Sequence, residues 1–115
     1  MMAMTDSQDL HADLAQDLQE FWQDYTGIRP ARVRVVADKL TIAVCLGQVL
    51  TPAEREMACT QTGREMLREL EEHILEQAKP HLQRLVGRAV EQEGMFAVVL
   101  FDVTSGNVLG FFQAA

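Results

Sequence analysis

Long apolar runs are missing from this sequence of 115 residues. The longest such stretches are residues 40–46, which Thr41 interrupts, and residues 95–101. A helix that spans a membrane needs roughly 20 consecutive apolar residues, so we expect no direct insertion into a membrane. Residues 1–10 contain neither a basic segment nor an apolar one, which argues against a secretory signal. We therefore expect a cytoplasmic protein.

Basic residues are missing from the first part of the chain, where no Lys or Arg precedes Arg29. The acidic residues of this part are Asp6, Asp9, Asp13, Asp17, Glu20 and Asp24, and the formal net charge of the chain is −7. Nucleic-acid binding requires a basic face, and an anionic bilayer attracts basic segments. We therefore predict no nucleic-acid partner, whereas a basic protein surface would suit this segment.

Residues that carry catalysis or hold metals are also scarce. The two cysteines, Cys45 and Cys59, are far apart in sequence, whereas a structural zinc site needs about four ligands with short-range pairs. His73 is surrounded by glutamates, a pattern typical of a solvated helix surface. The segment TSGNVLG lacks the Gly-Lys-Ser/Thr ending of a phosphate-binding loop. We predict no metal, no cofactor and no catalytic residue, and hence no enzyme.

An amphipathic helix is predicted first. Its apolar residues recur at three- and four-residue spacing and are Leu10, Leu14, Leu18, Phe21, Trp22 and Tyr25. The helix is predicted to begin at 5–7 and to end at Gly27, after a disordered segment of residues 1–4. Acidic residues form a parallel stripe, which is either a solvated face or a partner-binding surface. The candidate partner-binding residues on it are Asp9, Asp13 and Asp17.

Two alternating segments within residues 32–46 predict a first β-hairpin with a tight turn near Asp38-Lys39. The predicted cross-strand pairs are Val33–Val44 and Val35–Ile42. One face is then aliphatic, and the other carries Arg32 and Arg34. Together with Arg29, these arginines either bind an anion or a partner's acidic groups, or cover the sheet with their aliphatic stems.

Helices are predicted in the middle of the chain. Thr51-Pro52-Ala53-Glu54 predicts a helix start with a capping box. A break is expected near Gly63, and a second helix is expected from about Arg64. The predicted apolar face of this helix begins with Leu67, Leu70, Ile74 and Ala78. Pro80 either kinks the helix or separates two helices.

Residues 95–103 and 108–113 predict a second hairpin that turns at Ser105-Gly106. These strands are apolar on both faces, and such strands need cover on both. The helices of the domain supply one cover, and a second protomer would supply the other. The predicted interface of a homodimer contains Phe101, Val103, Phe111 and Phe112. Asp102 interrupts an apolar strand, so we expect an arginine partner across the sheet.

The order of elements is helix, two strands, two or three helices and two strands. The simplest arrangement is a single α+β domain, residues 5–115. Its four-stranded antiparallel sheet contains the two hairpins. The N-terminal helix and the central long helices are predicted to pack on one face of this sheet.

Four segments resemble, in order, the MpsC-like domain family, named after a component of the sodium-translocating, membrane-potential-generating Mps systems of bacteria. They are TGIRPARVRVVADKLTIAVCLGQVLTPAERE, TGREMLREL, AKPHLQRLVGRAV and FDVTSGNVLGFF, and they cover about residues 26–112. The run Leu-Thr-Pro-Ala-Glu at 50–54 is the most specific part. The chain departs from the family's Gly-Arg-Gly-Pro at 27–30 and from its Arg-Pro-x-Leu at 79–82.

This resemblance implies a small, soluble, non-catalytic protein that associates with a membrane ion-translocating or inorganic-carbon-accumulating complex. We therefore consider two alternative hypotheses for the function. The first is an accessory protein whose partners are a second copy and a membrane protein, which would hold it at the periphery of the inner membrane. The alternative is an anion-binding sensor with a pocket between sheet and helices near Arg29, Arg32 and Arg34. An enzyme ranks last because the sequence names no acid, base or nucleophile in a cleft.

Overall fold

The computed structural model contains three helices and four strands. It describes the backbone of residues 2–114 and the side chains of residues 11–114. The helices and strands are α1 (Met2–Thr26), β1 (Arg32–Ala37), β2 (Thr41–Gly47), α2 (Pro52–Met57), α3 (Gln61–Val90), β3 (Phe96–Asp102) and β4 (Asn107–Gln113). The predicted α+β class is confirmed, and both predicted hairpins are present.

The four strands form one antiparallel sheet in the order β1-β2-β4-β3, so the two hairpins lie side by side. In the first hairpin the observed pairs include Val33–Leu46 and Val35–Val44 instead of the predicted Val33–Val44 and Val35–Ile42. The predicted register is wrong because the chain reverses one residue later, where the Asp38 N–H donates to the Thr41 carbonyl at 2.8 Å. Since side chains alternate with a period of two, a two-residue shift leaves both faces unchanged.

Both long helices cover the same face of the sheet, as predicted. α1 lies against β1, and α3 lies against β3. The helices also meet each other, because the rings of Phe21 and Tyr25 on α1 contact the His81 ring on α3, with centroids 5.8 Å and 5.6 Å away. The core between helices and sheet includes Leu14, Leu18, Trp22, Val44, Leu46, Leu67, Leu82, Val108 and Phe112.

The single tryptophan of the chain, Trp22, is almost fully enclosed in this core, with 1% of its side chain exposed. Its indole N–H has no hydrogen-bond partner among the described residues. An unpaired buried donor destabilises the fold, whereas burial of the large apolar ring stabilises it. The position of Trp22 is therefore determined by packing.

α1 ends where the sequence predicts and begins earlier. Gly27 has a left-handed backbone (φ +82°), and its N–H donates to the Gln23 carbonyl at 2.8 Å, which is a common way to end a helix. The first residue of α1 is Met2, before the predicted start. Of the predicted disordered segment, Met1 lies outside the described residues, and residues 2–4 are described only by a helical backbone.

The start of α2 is the predicted capping box. The Glu54 N–H donates to the Thr51 hydroxyl at 3.2 Å, and the Thr51 N–H donates to the Glu54 carboxylate at 2.8 Å. The break before α3 lies at 58–60, and not near Gly63 as predicted, because Thr60 caps α3 by accepting from the Gly63 N–H at 3.0 Å. Gly63 has another role. A Cβ at this position would lie 1.9 Å from the Met57 carbonyl oxygen.

α3 continues through Pro80 as one helix of 30 residues, so Pro80 does not separate two helices. Its buried residues are Gly63, Leu67, Glu71, Leu75, Ala78, Leu82, Val86 and Gly87. Leu70, which the sequence predicts to be on the apolar face, is 48% exposed. The buried stripe is therefore rotated away from Leu70, and this rotation places the carboxyl group of Glu71 in the interior.

The loop between β2 and α2 connects the two hairpins. The Val49 N–H donates to the Gly106 carbonyl at 3.0 Å, and the Gln48 N–H donates to the Asn107 side-chain oxygen at 3.1 Å. Val49 and Leu50 are both buried. The turn of the second hairpin is therefore held against the end of the first one.

Replacing Gly63 with alanine should destabilise the protein by about 2 kcal/mol or more, because the added Cβ overlaps the Met57 carbonyl and α2 must move away. Helix propensity alone predicts the opposite sign, since alanine is favoured over glycine by about 1 kcal/mol in a helix interior. Urea unfolding measures the difference. Thr62→Ala, at an exposed position of the same turn, is the control. A Gly63→Ala chain as stable as wild type would show that the close approach is not needed.

Candidate interaction surface

The outer face of the sheet is the face opposite the helices. It consists of alternate residues of the four strands, namely Arg32, Arg34, Val36, Thr41, Ala43, Cys45, Phe96, Val98, Leu100, Asp102, Asn107, Leu109, Phe111 and Gln113. The apolar residues of the opposite parity belong to the core beneath the helices. No described helix packs on the outer face.

Large apolar side chains are exposed on this outer face. They are Val36 (67% exposed), Phe96 (72%), Val98 (54%), Leu100 (41%) and Phe111 (46%). Val98 lies directly opposite Phe111 in the register, and Leu100 lies opposite the half-buried Leu109, so these side chains adjoin across β3 and β4. Single exposed apolar residues are ordinary, whereas a contiguous patch marks an interaction surface.

Only one of the four predicted interface residues lies on the outer face. Phe111 is exposed there, but Phe101, Val103 and Phe112 are buried in the core under the helices, with 9%, 8% and 1% exposed. These three side chains already have cover within the chain, so they are not available to a second protomer. The outward residues of β3, which the prediction omitted, take their place. Dimerisation itself stays a prediction.

The arginines do not converge on one pocket. Arg32 and Arg34 are exposed side by side on the outer face of β1. The stem of Arg32 covers Gly47, where a Cβ would lie 3.0 Å from Arg32 Cγ. Arg29 instead donates to two glutamine side chains of α1 at 2.8 Å and 3.0 Å. An anion pocket between sheet and helices would need all three on the inner side, so this geometry gives the sensor interpretation no support.

Asp102 is held by its own turn and not by the arginine that the sequence predicts. Its carboxylate accepts the Ser105 hydroxyl at 2.7 Å and the backbone N–H groups of Thr104 and Ser105 at 3.3 Å each. The Ser105 side-chain bond, reinforced by the two backbone bonds, lowers the pKa of Asp102 although burial opposes the shift. The carboxylate is therefore charged at neutral pH at the end of β3.

The acidic stripe lies on the helical side of the molecule. Asp13 and Asp17 are exposed on α1, as are Glu20 and Asp24, while the side chain of Asp9 lies outside the described side chains. Because α1 packs on the inner face of the sheet, the stripe and the outer face are separate surfaces. The structure therefore places Arg32 and Arg34 together but keeps them apart from the acidic candidates.

Glu71 is a buried carboxyl group that the sequence reasoning missed. It is 3% exposed and is the one charged residue that is buried among the described side chains. Burial, and secondarily the charge of Glu54 on α2, raise the pKa of Glu71 to about 7. The signal was its position four residues after Leu67 and four before Leu75, on one helix face. Half of the Glu71 carboxyls are then protonated near neutral pH.

Metal ligands are not assembled in the part of the chain that the structure describes, where no three His, Cys, Asp or Glu side chains are placed to share an ion. Cys45 is half-buried and Cys59 is exposed, and both are free thiols.

A groove of about 1000 Å³ at the end of α3 has a mixed lining that includes Arg84, Arg88 and Glu91. No described helix has the length and apolar character required to span a bilayer.

Comparison with known protein families gives a match. A family model described as "Na+-translocating membrane potential-generating system (MpsC)" matches residues 6–105, which is most of the chain. The resemblance predicted from the four segments is confirmed. No curated protein and no solved structure matches the chain.

Replacing Glu71 with glutamine should make the stability of the protein less dependent on pH. Unfolding lowers the pKa of Glu71 from about 7 to its ordinary value of 4.5, so between these values the unfolded chain has lost the proton that the folded chain keeps. The Glu71 contribution to stability is fully present below pH 4.5, falls as the pH rises, and is constant above about pH 7.

The free energy of unfolding of the Glu71→Gln chain should therefore exceed that of wild type by up to about 3 kcal/mol at pH 8 and match it near pH 4.5. Urea unfolding at the two pH values measures this difference. Glu72→Gln, which changes an exposed neighbour, should show no such change. A difference between Glu71→Gln and wild type that is the same at both pH values would contradict the assignment.

Proposed function

The chain belongs to the MpsC family, and on that premise we propose that it is a small, non-catalytic accessory protein of a membrane ion-translocating or inorganic-carbon-uptake complex. It acts in the cytoplasm by binding other proteins, and it reaches the inner membrane through a partner. The description of the family, which names a Na+-translocating membrane system, supports a membrane partner.

The observation that carries this proposal is the uncovered outer face of the sheet. Four large apolar side chains are exposed on it, namely Phe96, Val98, Leu100 and Phe111, and the neighbouring Leu109 is half-buried. Burying such side chains would stabilise the protein by about 25 cal/mol per Å². A chain that leaves a whole sheet face of this kind open forgoes stability that a bound protein would supply. Protein binding is therefore the function that best fits this face.

The second surface, the acidic stripe of α1, suits the membrane partner. Asp13 and Asp17 lie four residues apart on one exposed helix face, and the net charge of −7 repels anionic lipid headgroups. Cytoplasmic loops of membrane proteins carry an excess of Lys and Arg. Opposite charges on the two proteins speed their encounter and suppress wrong partners.

The surroundings of the perturbed carboxyl groups support a non-catalytic role. Asp102 is occupied by three hydrogen bonds within its turn, and Glu71 is almost fully buried. The groove of about 360 Å³ beside Glu71 is lined by its neighbours Glu72 and Leu75 but not by Glu71 itself. A general acid must come within hydrogen-bond reach of a substrate. The carboxyl group of Asp102 is instead hydrogen-bonded to its own turn, and that of Glu71 is enclosed in the core.

A tagged chain mixed with native lysate that includes the detergent-solubilised membrane fraction should recover an ion-translocating membrane protein. The double variant Asp13→Asn with Asp17→Asn should recover several-fold less, and wild-type recovery should fall with added salt, since the contact is between exposed charges. Glu65→Gln with Glu69→Gln on α3, exposed at the same spacing, is the matched control.

Two results would contradict the proposed function. One is that wild-type chain recovers no membrane protein under any ionic strength. The other is that the two double variants lose recovery equally, because this would mean that total charge, and not the stripe on α1, determines the contact.

A further inference from the structure

We infer that the outer face is the contact surface of a symmetric dimer, in which a second copy of this chain covers it through a two-fold axis that runs parallel to the strands between β2 and β4. This inference rests on the proposed function, since it names one of the protein partners which that function requires. The argument uses the strand register, the side-chain sizes and the charges of the outer face.

The strand register fixes which residues share a row across the outer face. One row contains Val36, Ala43, Phe111 and Val98, and the next contains Arg34, Cys45, Leu109 and Leu100. The row after that has Arg32 and Gly47 in the first hairpin and Asn107 and Asp102 in the second. Each row therefore crosses from β1 at one edge of the sheet to β3 at the other.

A two-fold axis along the strands keeps each row in place and reverses its order. β2 then lies over β4 of the second copy, and β1 lies over β3. In the centre of the contact, the large Phe111 faces the small Ala43 of the second copy, and Leu109 faces Cys45. Packed sheets interdigitate best when large side chains meet small ones across the interface, so the central rows of this face are complementary to themselves.

The charged residues at the two ends of the third row are complementary under the same operation. Arg32 on β1 lies over Asp102 at the end of β3 of the second copy, and by symmetry this contact occurs twice. Asp102 is fixed by its hydrogen bonds to Thr104 and Ser105. A carboxylate held in this way is positioned in advance for an arginine, which forms the strongest hydrogen-bonded ion pairs with carboxylates.

The alternative two-fold axis, perpendicular to the strands, fits the side-chain sizes poorly. It places each strand over the same strand of the second copy with the residue order reversed, so in the centre of the contact Phe111 would meet Leu109 and Ala43 would meet Cys45. Large side chains then oppose large ones and small side chains oppose small ones, which interdigitate poorly. Aligned packing of two sheets keeps their strands within about 30° of each other, so these two axes are the choices, and side-chain size selects the first.

The size of the face is sufficient for a dimer. Four strands about 4.8 Å apart and seven residues long at about 3.4 Å each give a flat area of about 450 Å² for one copy. Two copies then bury about 900 Å² before the relief of the side chains is added, which brings the contact to the ~1,000 Å² that a specific interface needs. At the low end of the range, the dimer should dissociate on dilution.

The first test measures the mass of the purified full-length chain by sedimentation over a dilution series. We expect a dimer that dissociates at micromolar concentration. Arg32→Glu places a carboxylate opposite Asp102 of the second copy twice in each dimer, so it should weaken dimerisation at least tenfold. Arg68→Glu, at an exposed position of α3, makes the same charge change away from the outer face and should leave the dissociation constant unchanged.

The second test determines the axis by comparing the linking yields of two cysteine pairs at the same protein concentration. Val36→Cys and Val98→Cys are made separately in a chain that also carries Cys45→Ala and Cys59→Ser, and one of the two bears a size tag. A bis-maleimide that spans the roughly 10 Å between packed sheets should link the two variants when mixed. Val98→Cys alone should give little product, because its copies lie at opposite edges of the contact.

Each outcome decides the inference. A linked product of the mixed variants, together with the Arg32→Glu effect, is the expected result. A chain that stays monomeric at about 0.1 mM, where even weak dimers assemble, overturns it, and so does efficient linking of Val98→Cys to itself, which indicates the perpendicular axis. A monomer that still recovers the membrane protein would overturn the dimer and leave the proposed function in place, whereas a dimer that recovers none would do the reverse.

Discussion

The pairing of β2 with β4 is the contact on which the rest of the fold depends. It brings together residues as distant in sequence as Thr41 and Gln113, and it joins two hairpins that are each too small to be stable alone. The hydrogen bonds of Gln48 and Val49 to the second turn hold the same junction from outside the sheet. Only when the four strands are joined does a surface exist that is wide enough for α1 and α3 to cover together.

One side of this sheet is therefore completed by the chain, and the other is not. The inner side contains the core, and α3 covers it at a cost, since the same helix buries Glu71 among apolar residues. The protein tolerates both an enclosed carboxyl group and an open apolar face. Both features reduce the stability of the isolated chain, because a buried carboxyl group loses hydration and an open apolar face stays in contact with water.

Sequence reasoning succeeded where the determining interactions are local. The capping box at Thr51 and Glu54 involves residues three positions apart, and two-residue alternation along β3 places Val98 and Leu100 on one face and Phe101 on the other. The register of the first hairpin was missed because it depends on which of two adjacent positions, Asp38-Lys39 or Lys39-Leu40, forms the turn. Local patterns do not distinguish these choices.

The surface residues were harder to predict because they depend on the three-dimensional packing. Alternation shows that Phe111 and Phe112 point in opposite directions, but it does not say which of them the helices cover. The phase of α3 likewise depends on its contact with the sheet, so Leu70 was predicted to be inside and Glu71 was overlooked. The polar side chain of Asp102 at the end of an apolar strand is explained by local hydrogen bonds, since its partners Thr104 and Ser105 are close to it in the sequence.

The placement of Trp22 gives the protein a natural optical reporter. It is the single tryptophan of the chain, it belongs to α1, and it is enclosed where that helix meets the sheet. Its fluorescence therefore follows the docking of α1 specifically, while amide exchange in β2 and β4 follows the sheet. Comparing the two signals during unfolding would tell whether the helix that carries the acidic stripe leaves the sheet as an independent unit or only when the whole domain opens.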